Sequence, residues 1–480
     1  MPTPTPTPTP TPAPSQHRAV RDHCLAPSRA VDAPIAGVGG KYGRLFPELP
    51  PLETDEDLLY RLGGSGGICD GGPVAVDAAG GDDTSGDNAG DDAGGPAGWP
   101  FFGQFVAHDI TADRSLLLRH ADAAHLANFR SPRANLECLY DDGPTGSPFL
   151  YERDDSAKLL IGRNDRGEPA DLPRNQQGVA LIGDPRNDVH LFVNQLHVAM
   201  LKVHNGLVDR LRADGEPEEV VFESARRSAT WHYQWVIVHD YLPAVAGAEL
   251  VAELLADGPR FYRPDGPAWI PLEFADGAFR YGHSQIRHAY RLRDGAEPKP
   301  LFPDLLGFAP VPAAHTVDWS RLFRFPGGPV PQRAKKIDGR LARSLIELPR
   351  AITGAVDVAA FHSLAVRDLQ RGQAYGLPSG ETVARAMGEA PLAPDETGMK
   401  ALGWEGDTPL WYYVLKEAEA REGGERLGPV GGRIVAEVLL GIIDADPESW
   451  RSVDRAWRPT LPAADADRFT VTDLLAFATT

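Results

Sequence analysis

Gln104 and His108 are the first residues whose types and spacing suit acid-base chemistry. They lie four residues apart in WPFFGQFVAHDITAD, so both side chains project from one face if the segment is helical. Asp109 turns roughly 100° away from that face and would meet different neighbours. A histidine beside a glutamine can be a reactive pair or a satisfied structural pair, and the spacing alone leaves both interpretations open.

Further sequence motifs along the chain help to interpret this segment. FFGQFVAHDIT resembles the distal-haem motif of animal-type haem peroxidases, in the peroxidase-cyclooxygenase superfamily, and the chain is most similar to a bacterial-like branch. Four further blocks follow in the family's order, and they are FRSPRANLECLYDDGP (129–144), IGDPRNDVHLFVNQLHVAMLKVHNGLVDRL (182–211), FRYGHSQI (279–286) and GLPSGETVARAMG (376–388). The resemblance covers most of the chain from about residue 40. It implies a mainly α, animal haem peroxidase-like helical domain with long loops and little β structure.

The resemblance assigns four residues to the reaction with hydrogen peroxide. His108 matches the distal acid-base group, which takes a proton from the peroxide and returns it to the departing oxygen. Arg186 matches the arginine whose fixed charge stabilises that oxygen, with a surface arginine in the first turn of a helix as the alternative. Gln104 matches the glutamine that positions water or a halide. His283 matches the proximal ligand of the haem iron.

On the proximal side, the family's histidine donates a hydrogen bond to an asparagine. The position after LPSG that should supply this partner is Glu381 here, and a carboxylate would make the imidazole a stronger electron donor. Arg280 matches a residue that pairs with a haem propionate, and the alternative is a solvated helix charge.

A calcium site is also implied by the resemblance. Asp109, Ser131, the carbonyl of Arg133, Asn135 and Glu137 match its oxygen ligands, which are the kind that Ca²⁺ prefers. Two substitutions weaken the match, because Asn135 lacks a charge and Glu137 is one methylene longer than the usual aspartate. The alternative is a hydrogen-bonded loop without metal.

Some family members attach haem through ester bonds to two carboxylates, at positions that are Ala107 and Val189 here. Without those carboxylates we expect non-covalent haem b. His190 follows, and the sequence assigns it no role. His190, His197 and His204 recur every seven residues, about 10.5 Å apart along a helix, which is too far for a shared metal ion. Packing in the core or at an interface is expected for that stripe.

The rest of the chain must position these blocks. Asp184 and Pro185 predict the start of a helix with one apolar stripe from Val189 to Leu207. A second helix is expected from about Glu218 to Tyr241, ending before Pro243, and residues 285–335 are expected to be mostly loop. Residues 1–16 are a Pro-Thr tail, and 17–480 are expected to form one haem peroxidase domain with a flexible Gly/Asp-rich loop at 63–98.

Composition excludes several classes of partner. The net charge of −19 argues against nucleic acid and anionic membranes. Three scattered cysteines, Cys24, Cys69 and Cys138, indicate neither disulfides nor a thiolate metal site. No segment is apolar enough for a membrane span. No secretory signal is recognisable, so a cytoplasmic location is expected, with secretion by another route left open along with the oligomeric state.

Three functions are weighed on these grounds. The leading hypothesis is a peroxidase in which hydrogen peroxide oxidises haem and a small organic reductant or a halide reduces it again. The second is a fatty-acid dioxygenase of the same superfamily, whose tyrosine lies three residues before the proximal histidine. That position is Arg280 here, with Tyr281 one residue closer. The third is a non-catalytic haem-binding protein.

Overall fold

The computed structural model describes residues 40–72, 94–112, 126–354 and 357–479. The predicted Pro-Thr tail lies outside these ranges. Of the predicted Gly/Asp-rich loop, only residues 63–72 and 94–98 lie within them.

The described chain is mainly helical, as the sequence predicts. In its first half the α-helices are α1 (Glu56–Gly63), α2 (Trp99–Ile110), α3 (Glu137–Tyr140), α4 (Gly143–Gly146), α5 (Leu191–Ala213), α6 (Glu218–Val236), α7 (Leu242–Ala246) and α8 (Ala248–Asp257). They are followed by α9 (Leu272–Ala275), α10 (Arg343–Ile346), α11 (Arg350–Thr353), α12 (Leu364–Ala374), α13 (Gly380–Met387), α14 (Leu410–Glu422), α15 (Pro429–Ala445), α16 (Trp450–Val453) and α17 (Val471–Phe477).

Strands make up little of the described chain. β1 (Gly40–Gly43) lies between β2 (Ala127–Asn128), which is antiparallel to it, and β3 (Trp269–Pro271), which is parallel. β4 (Ala289–Tyr290) and β5 (Lys299–Pro300) form a separate antiparallel pair. These short strand pairings connect segments that are distant in the sequence, but they do not form a layer of the core.

The helix predicted to start at Asp184 and Pro185 begins later. Asp184 caps a short 3₁₀ turn, Pro185–Asp188, by accepting the Arg186 backbone N–H. The α-helix then starts at Leu191, with His190 as its N-cap. An aspartate followed by a proline suits the first turn of a 3₁₀ helix as well as that of an α-helix, so the pattern could not separate the two.

The second predicted helix is interrupted rather than ended before Pro243. α6 runs to Val236 and continues as a π-helical turn, Ile237–Tyr241, which leads directly into α7. Pro243 is tolerated because it lies in the first turn of α7, where its missing N–H costs no hydrogen bond. Such π-turns frequently occur at functional sites.

α2 is the central helix of the core. Almost every side chain along it is buried, including Phe101, Phe105 and Ile110, which is the pattern of a helix surrounded by others. It packs against α5 on one side and against a 3₁₀ segment, Ala278–Gln285, on another. No helix within the described ranges is both long and apolar enough to cross a membrane.

Candidate active site

A large cavity lies between α2 and the 3₁₀ segment Ala278–Gln285. It contains about 1170 Å³ of empty space, part of which is open to solvent. Much of its wall is apolar, and the side chains responsible include Phe101, Phe279, Ile286, Leu301, Leu345, Leu348, Ile352 and Leu364. The polar side chains on the wall include Gln104, His108, His190, Arg280 and His283. The two histidines that the sequence singles out therefore share one cavity.

His108 is held by a residue that sequence reasoning missed. Its Nδ1 lies 2.8 Å from Asn187 Oδ1, and since an amide oxygen only accepts, Nδ1 carries the proton and Nε2 is the basic nitrogen. Asn187 Nδ2 in turn donates to His197 Nδ1 over 3.0 Å. Burial, followed by the positive charge of Arg186, lowers the pKa of His108 to about 3. At neutral pH the imidazole is uncharged.

Arg186 is not among the described residues that line the cavity. Its guanidinium forms an ion pair with Asp184, with Nε 2.8 Å from Oδ1 and Nη2 2.7 Å from Oδ2. It also donates to the backbone oxygens of His108 and Thr111, at the end of α2. Although burial raises the pKa of Asp184, Arg186 and Arg130 together hold it well below its usual value. The arginine therefore stabilises the end of α2, behind His108.

Gln104 lies on the cavity wall beside His190. Gln104 Oε1 is 2.7 Å from His190 Nε2, and His190 Nδ1 accepts the backbone N–H of Val193 as the N-cap of α5. Burial lowers the pKa of His190 to about 3. His190 therefore differs from His197 and His204, which are buried in the core and do not line this cavity.

His283 is bound to Asp368 rather than to Glu381, which corrects the predicted proximal partner. His283 Nδ1 lies 2.6 Å from Asp368 Oδ2. Glu381 instead accepts from the backbone N–H of Thr408 over 2.8 Å and from its hydroxyl over 2.7 Å. Glu381 lies in the first turn of α13, and its carboxylate fixes the loop before α14, while Asp368 projects from α12 toward the histidine.

Arg280 lines the cavity, but its guanidinium already contacts carboxylates of the protein. Nη1 donates to Asp368 Oδ1 over 3.1 Å, Nη2 donates to Asp276 over 2.9 Å, and Nε donates to the Ala275 backbone oxygen. Arg371 also binds Asp276, over 2.6 Å. The predicted propionate partner is thus part of the buried network that orients Asp368.

Two buried tyrosines lie close to this network. Tyr241, at the end of the π-turn, lines the cavity, and its hydroxyl is 2.9 Å from that of Tyr281. Gly103 makes room for this pair, because a Cβ there would come within 2.3 Å of Tyr241 Oη. Burial raises the pKa of both phenols, so both hydroxyls stay protonated.

The predicted calcium ligands do not form a cation site. Both oxygens of Asp109 accept backbone N–H groups, from Leu136 over 2.9 Å and from Cys138 over 3.2 Å, and burial raises the pKa of Asp109 to about 6. Glu137 accepts from the backbone N–H and hydroxyl of Ser131.

The remaining members of the predicted set are also engaged elsewhere. Asn135 Oδ1 accepts the Glu137 N–H, and the Arg133 carbonyl accepts from Gln234. Arg130 adds a positive charge next to Glu137, with 3.3 Å between Nη1 and Oε1. The candidate ligands therefore face donors rather than a shared centre, and the described residues contain no cluster of three or more metal-ligating side chains.

A haem group fits the residues around the cavity better than calcium fits the loop. His283 is fixed through Nδ1, which leaves Nε2 as its coordinating atom, and an imidazole held by a carboxylate is a common arrangement for a metal ligand. The apolar wall suits a porphyrin. Ala107 and Val189, the positions where an ester bond would need a carboxylate, both line the cavity, and none of its described lining residues is Asp or Glu.

Asn187 and Asp368 are site residues that sequence reasoning did not identify, and it named His190 without assigning it a role. The pattern around Asp368 does contain one indication of its role. Asp368 lies on the apolar face of α12 with Leu364 and Leu369, and it is 0% exposed. A carboxylate at such a position needs a buried partner. Asn187 and His190 left no such signal, since their partners are 79 and 86 residues away in the chain.

Comparisons with known proteins identify the family of the chain. A family model described as animal haem peroxidase matches residues 142–392, just over half of the chain. Thyroid peroxidase of Sus scrofa is 27% identical over 297 residues, which are 57% of this chain and 31% of that protein. The chain thus spans under a third of that relative's length.

Solved structures show the same fold. Peroxidase A from Dictyostelium discoideum superposes with a TM-score of 0.61 at 16% identity, covering 87% of this chain and 89% of that one. Fatty acid alpha-dioxygenase from Arabidopsis thaliana superposes with a TM-score of 0.58 at 12% identity, covering 96% and 83%. At these identities the two structures establish the fold and not the reaction.

Proposed function

The chain belongs to the animal haem peroxidase family, and from that premise we propose that it is a haem-dependent peroxidase. It would use hydrogen peroxide to oxidise a small organic reductant or a halide. The observation that carries this proposal is the difference between the two histidines of one cavity. His108 is held by an amide oxygen and stays neutral, whereas His283 is held by a carboxylate. The first arrangement suits a proton carrier and the second suits an iron ligand.

His283 would hold the haem iron through Nε2, with Asp368 and Arg280 fixing the plane of the imidazole. Bound haem would supply the redox chemistry, in which hydrogen peroxide accepts two electrons. With an organic reductant, two protons are also taken up and two molecules of water form, whereas a halide would give hypohalous acid and one molecule of water. We expect non-covalent haem b, because neither Ala107 nor Val189 can form an ester bond.

His108 would move the proton. Its Nε2 is unprotonated at neutral pH, so it can accept a proton from hydrogen peroxide and return it to the oxygen that leaves as water. Asn187 holds the tautomer that this transfer needs. Arg186 contributes indirectly, because its charge helps to keep His108 neutral.

The test separates the peroxidase from the other two functions. The purified, haem-loaded protein is assayed for peroxide-dependent oxidation of a phenolic dye and, separately, for oxygen uptake with a polyunsaturated fatty acid and no peroxide. We expect dye oxidation and no oxygen uptake. Rapid oxygen uptake would identify a dioxygenase, and a haem absorption band with neither activity would identify a non-catalytic haem-binding protein.

A further inference from the structure

His190 connects the N-terminus of α5 to the distal wall of the cavity. Its ring is 5% exposed and lies against Phe101, with 5.3 Å between the ring centroids. Nδ1 is 3.4 Å from the backbone nitrogen of Val193, and Nε2 is 2.7 Å from Gln104 Oε1. One ring nitrogen of His190 therefore contacts the N-terminus of α5, and the other contacts Gln104 in the cavity wall.

The direction of these hydrogen bonds follows from the helix end. A backbone N–H can only donate, so Nδ1 of His190 must accept from Val193 and carry no proton. The neutral ring then has its single proton on Nε2, which donates to Gln104. The atom of Gln104 that accepts this bond must be its oxygen, in agreement with the 2.7 Å distance between His190 Nε2 and Gln104 Oε1.

The amide nitrogen of Gln104 is consequently directed elsewhere. No acceptor within the described residues contacts Gln104 Nε2, and the side chain lines the cavity beside His108. Two other donors among the described residues of this side are already used. Thr111 donates its hydroxyl to the Ala107 oxygen over 2.7 Å, and Arg186 is paired with Asp184.

We propose that His190 is a positioning residue that fixes the Gln104 amide with its N–H groups toward the cavity, where they bind a small anion or the oxygen that leaves the peroxide. This inference rests on the proposed function, because the ligand would sit on the distal side of a haem held by His283. It adds a neutral hydrogen-bond donor to the distal wall.

The alternative is that His190 only caps α5, and the two roles can be separated by substitution. Asparagine is among the best N-caps, so His190→Asn keeps the cap but is too short to reach Gln104. The amide nitrogen of glutamine is three bonds from Cβ, as is Nε2 of His190, so His190→Gln keeps the donor to Gln104. Its oxygen is one bond farther from Cβ than Nδ1 of His190, so the cap of α5 is lost.

Fluoride binding to the haem-loaded protein measures the donor without requiring turnover. A fluoride ion bound on the distal side accepts hydrogen bonds, and its affinity is read from the haem absorbance at fixed pH. We expect His190→Asn to weaken fluoride binding on the order of tenfold, which corresponds to one lost hydrogen bond. The midpoint of thermal unfolding of His190→Asn should stay near the wild-type value because the cap is kept. His190→Gln should restore the affinity and lower that midpoint.

A double-mutant cycle shows whether His190 affects fluoride binding through Gln104. In a Gln104→Ala background, His190→Asn should change the fluoride affinity no further. An unchanged affinity in His190→Asn, or an equal loss in the Gln104→Ala background, would overturn the proposal. A protein that shows this coupling but oxidises no dye would contradict only the proposed peroxidase function, and a chain that takes up no haem would contradict both.

Discussion

His108 and His283 differ most in the group that accepts their Nδ1 proton. The acceptor is a neutral amide for His108 and a fully buried carboxylate for His283. A carboxylate withdraws the proton further from the ring and makes Nε2 a stronger electron donor, which stabilises the oxidised state of a bound iron. The sequence predicts this chemistry but assigns it to Glu381, and the structure assigns it to Asp368.

Replacing Asp368 tests this assignment. Asp368→Asn keeps the hydrogen bond to His283 but removes the negative charge, so the reduction potential of the bound haem should rise by tens of millivolts. Glu381→Gln is the matched control and should leave the potential unchanged, because Glu381 contacts Thr408 instead. Spectroelectrochemical titration of the haem-loaded variants measures both, and a shift in the control alone would restore the original assignment.

At the scale of elements, the loop Arg130–Tyr140 joins the end of α2 to the turn that contains Arg186. Arg130 lies between Glu137 and Asp184, and both its side chain and that of Asp184 are almost completely buried. Asp184 also receives Arg186. One buried carboxylate thus connects the loop, the 3₁₀ turn and the end of α2, in the region where the family resemblance implies calcium.

Replacing Arg130 should therefore lower the free energy of unfolding substantially. Arg130→Met leaves Glu137 without a charged partner and leaves Asp184 with Arg186 alone. Loss of one member of a buried ion pair costs about 3–5 kcal/mol. Arg226→Met is the control, because Arg226 pairs with the exposed Glu223 and such pairs contribute less than about 1 kcal/mol. Urea unfolding of both variants measures the difference, and equal losses would contradict the account.

Calcium should have no effect on this loop. Its candidate ligands are already bound to hydrogen-bond donors, so neither a chelator nor added calcium should change the midpoint of thermal unfolding. A ligand that binds the native state raises that midpoint. A rise on addition of calcium would show that the loop opens to form a cation site.

The sequence predicted those parts of the site that lie within a local motif. Gln104, His108 and His283 are each recognisable from neighbouring residues, and all three line one cavity. Their partners are distant in sequence, as in the 85-residue separation of His283 from Asp368. Such pairings depend on how helices pack, which no local spacing encodes. The sequence did not indicate the orientation of Arg186 either, because this depends on the distant end of α2 as well as on the neighbouring Asp184.

At the scale of the whole molecule, buried histidines make stability depend on pH. Burial lowers the pKa of His108, His190 and His197 to about 3 and that of His204 and His232 to about 4. An unfolded chain takes up these protons near pH 6.5, whereas the native protein does not. Stability is therefore complete above about pH 6.5 and falls as the pH decreases toward 3–4, by about 1.4 kcal/mol per pH unit for each histidine.

Acid unfolding should consequently occur near pH 5, since folded proteins are stable by only about 5–15 kcal/mol. The free energy of unfolding, measured in urea at several pH values below 6.5, gives the slope. His204→Gln should reduce that slope, whereas substituting the half-exposed His315 should reduce it much less. A free energy that stays constant between pH 6.5 and 5 would contradict the burial of neutral imidazoles.

The central claim is that His108 moves a proton at a cavity whose iron ligand is His283. The most direct measurement is the rate at which the haem absorbance changes after rapid mixing with hydrogen peroxide, for the wild type, His108→Ala and the control His315→Ala. We expect His108→Ala to slow this reaction by about 10²–10⁴-fold with unchanged haem content, and His315→Ala to match the wild type. A His108→Ala variant that reacts as fast as the wild type would contradict the account.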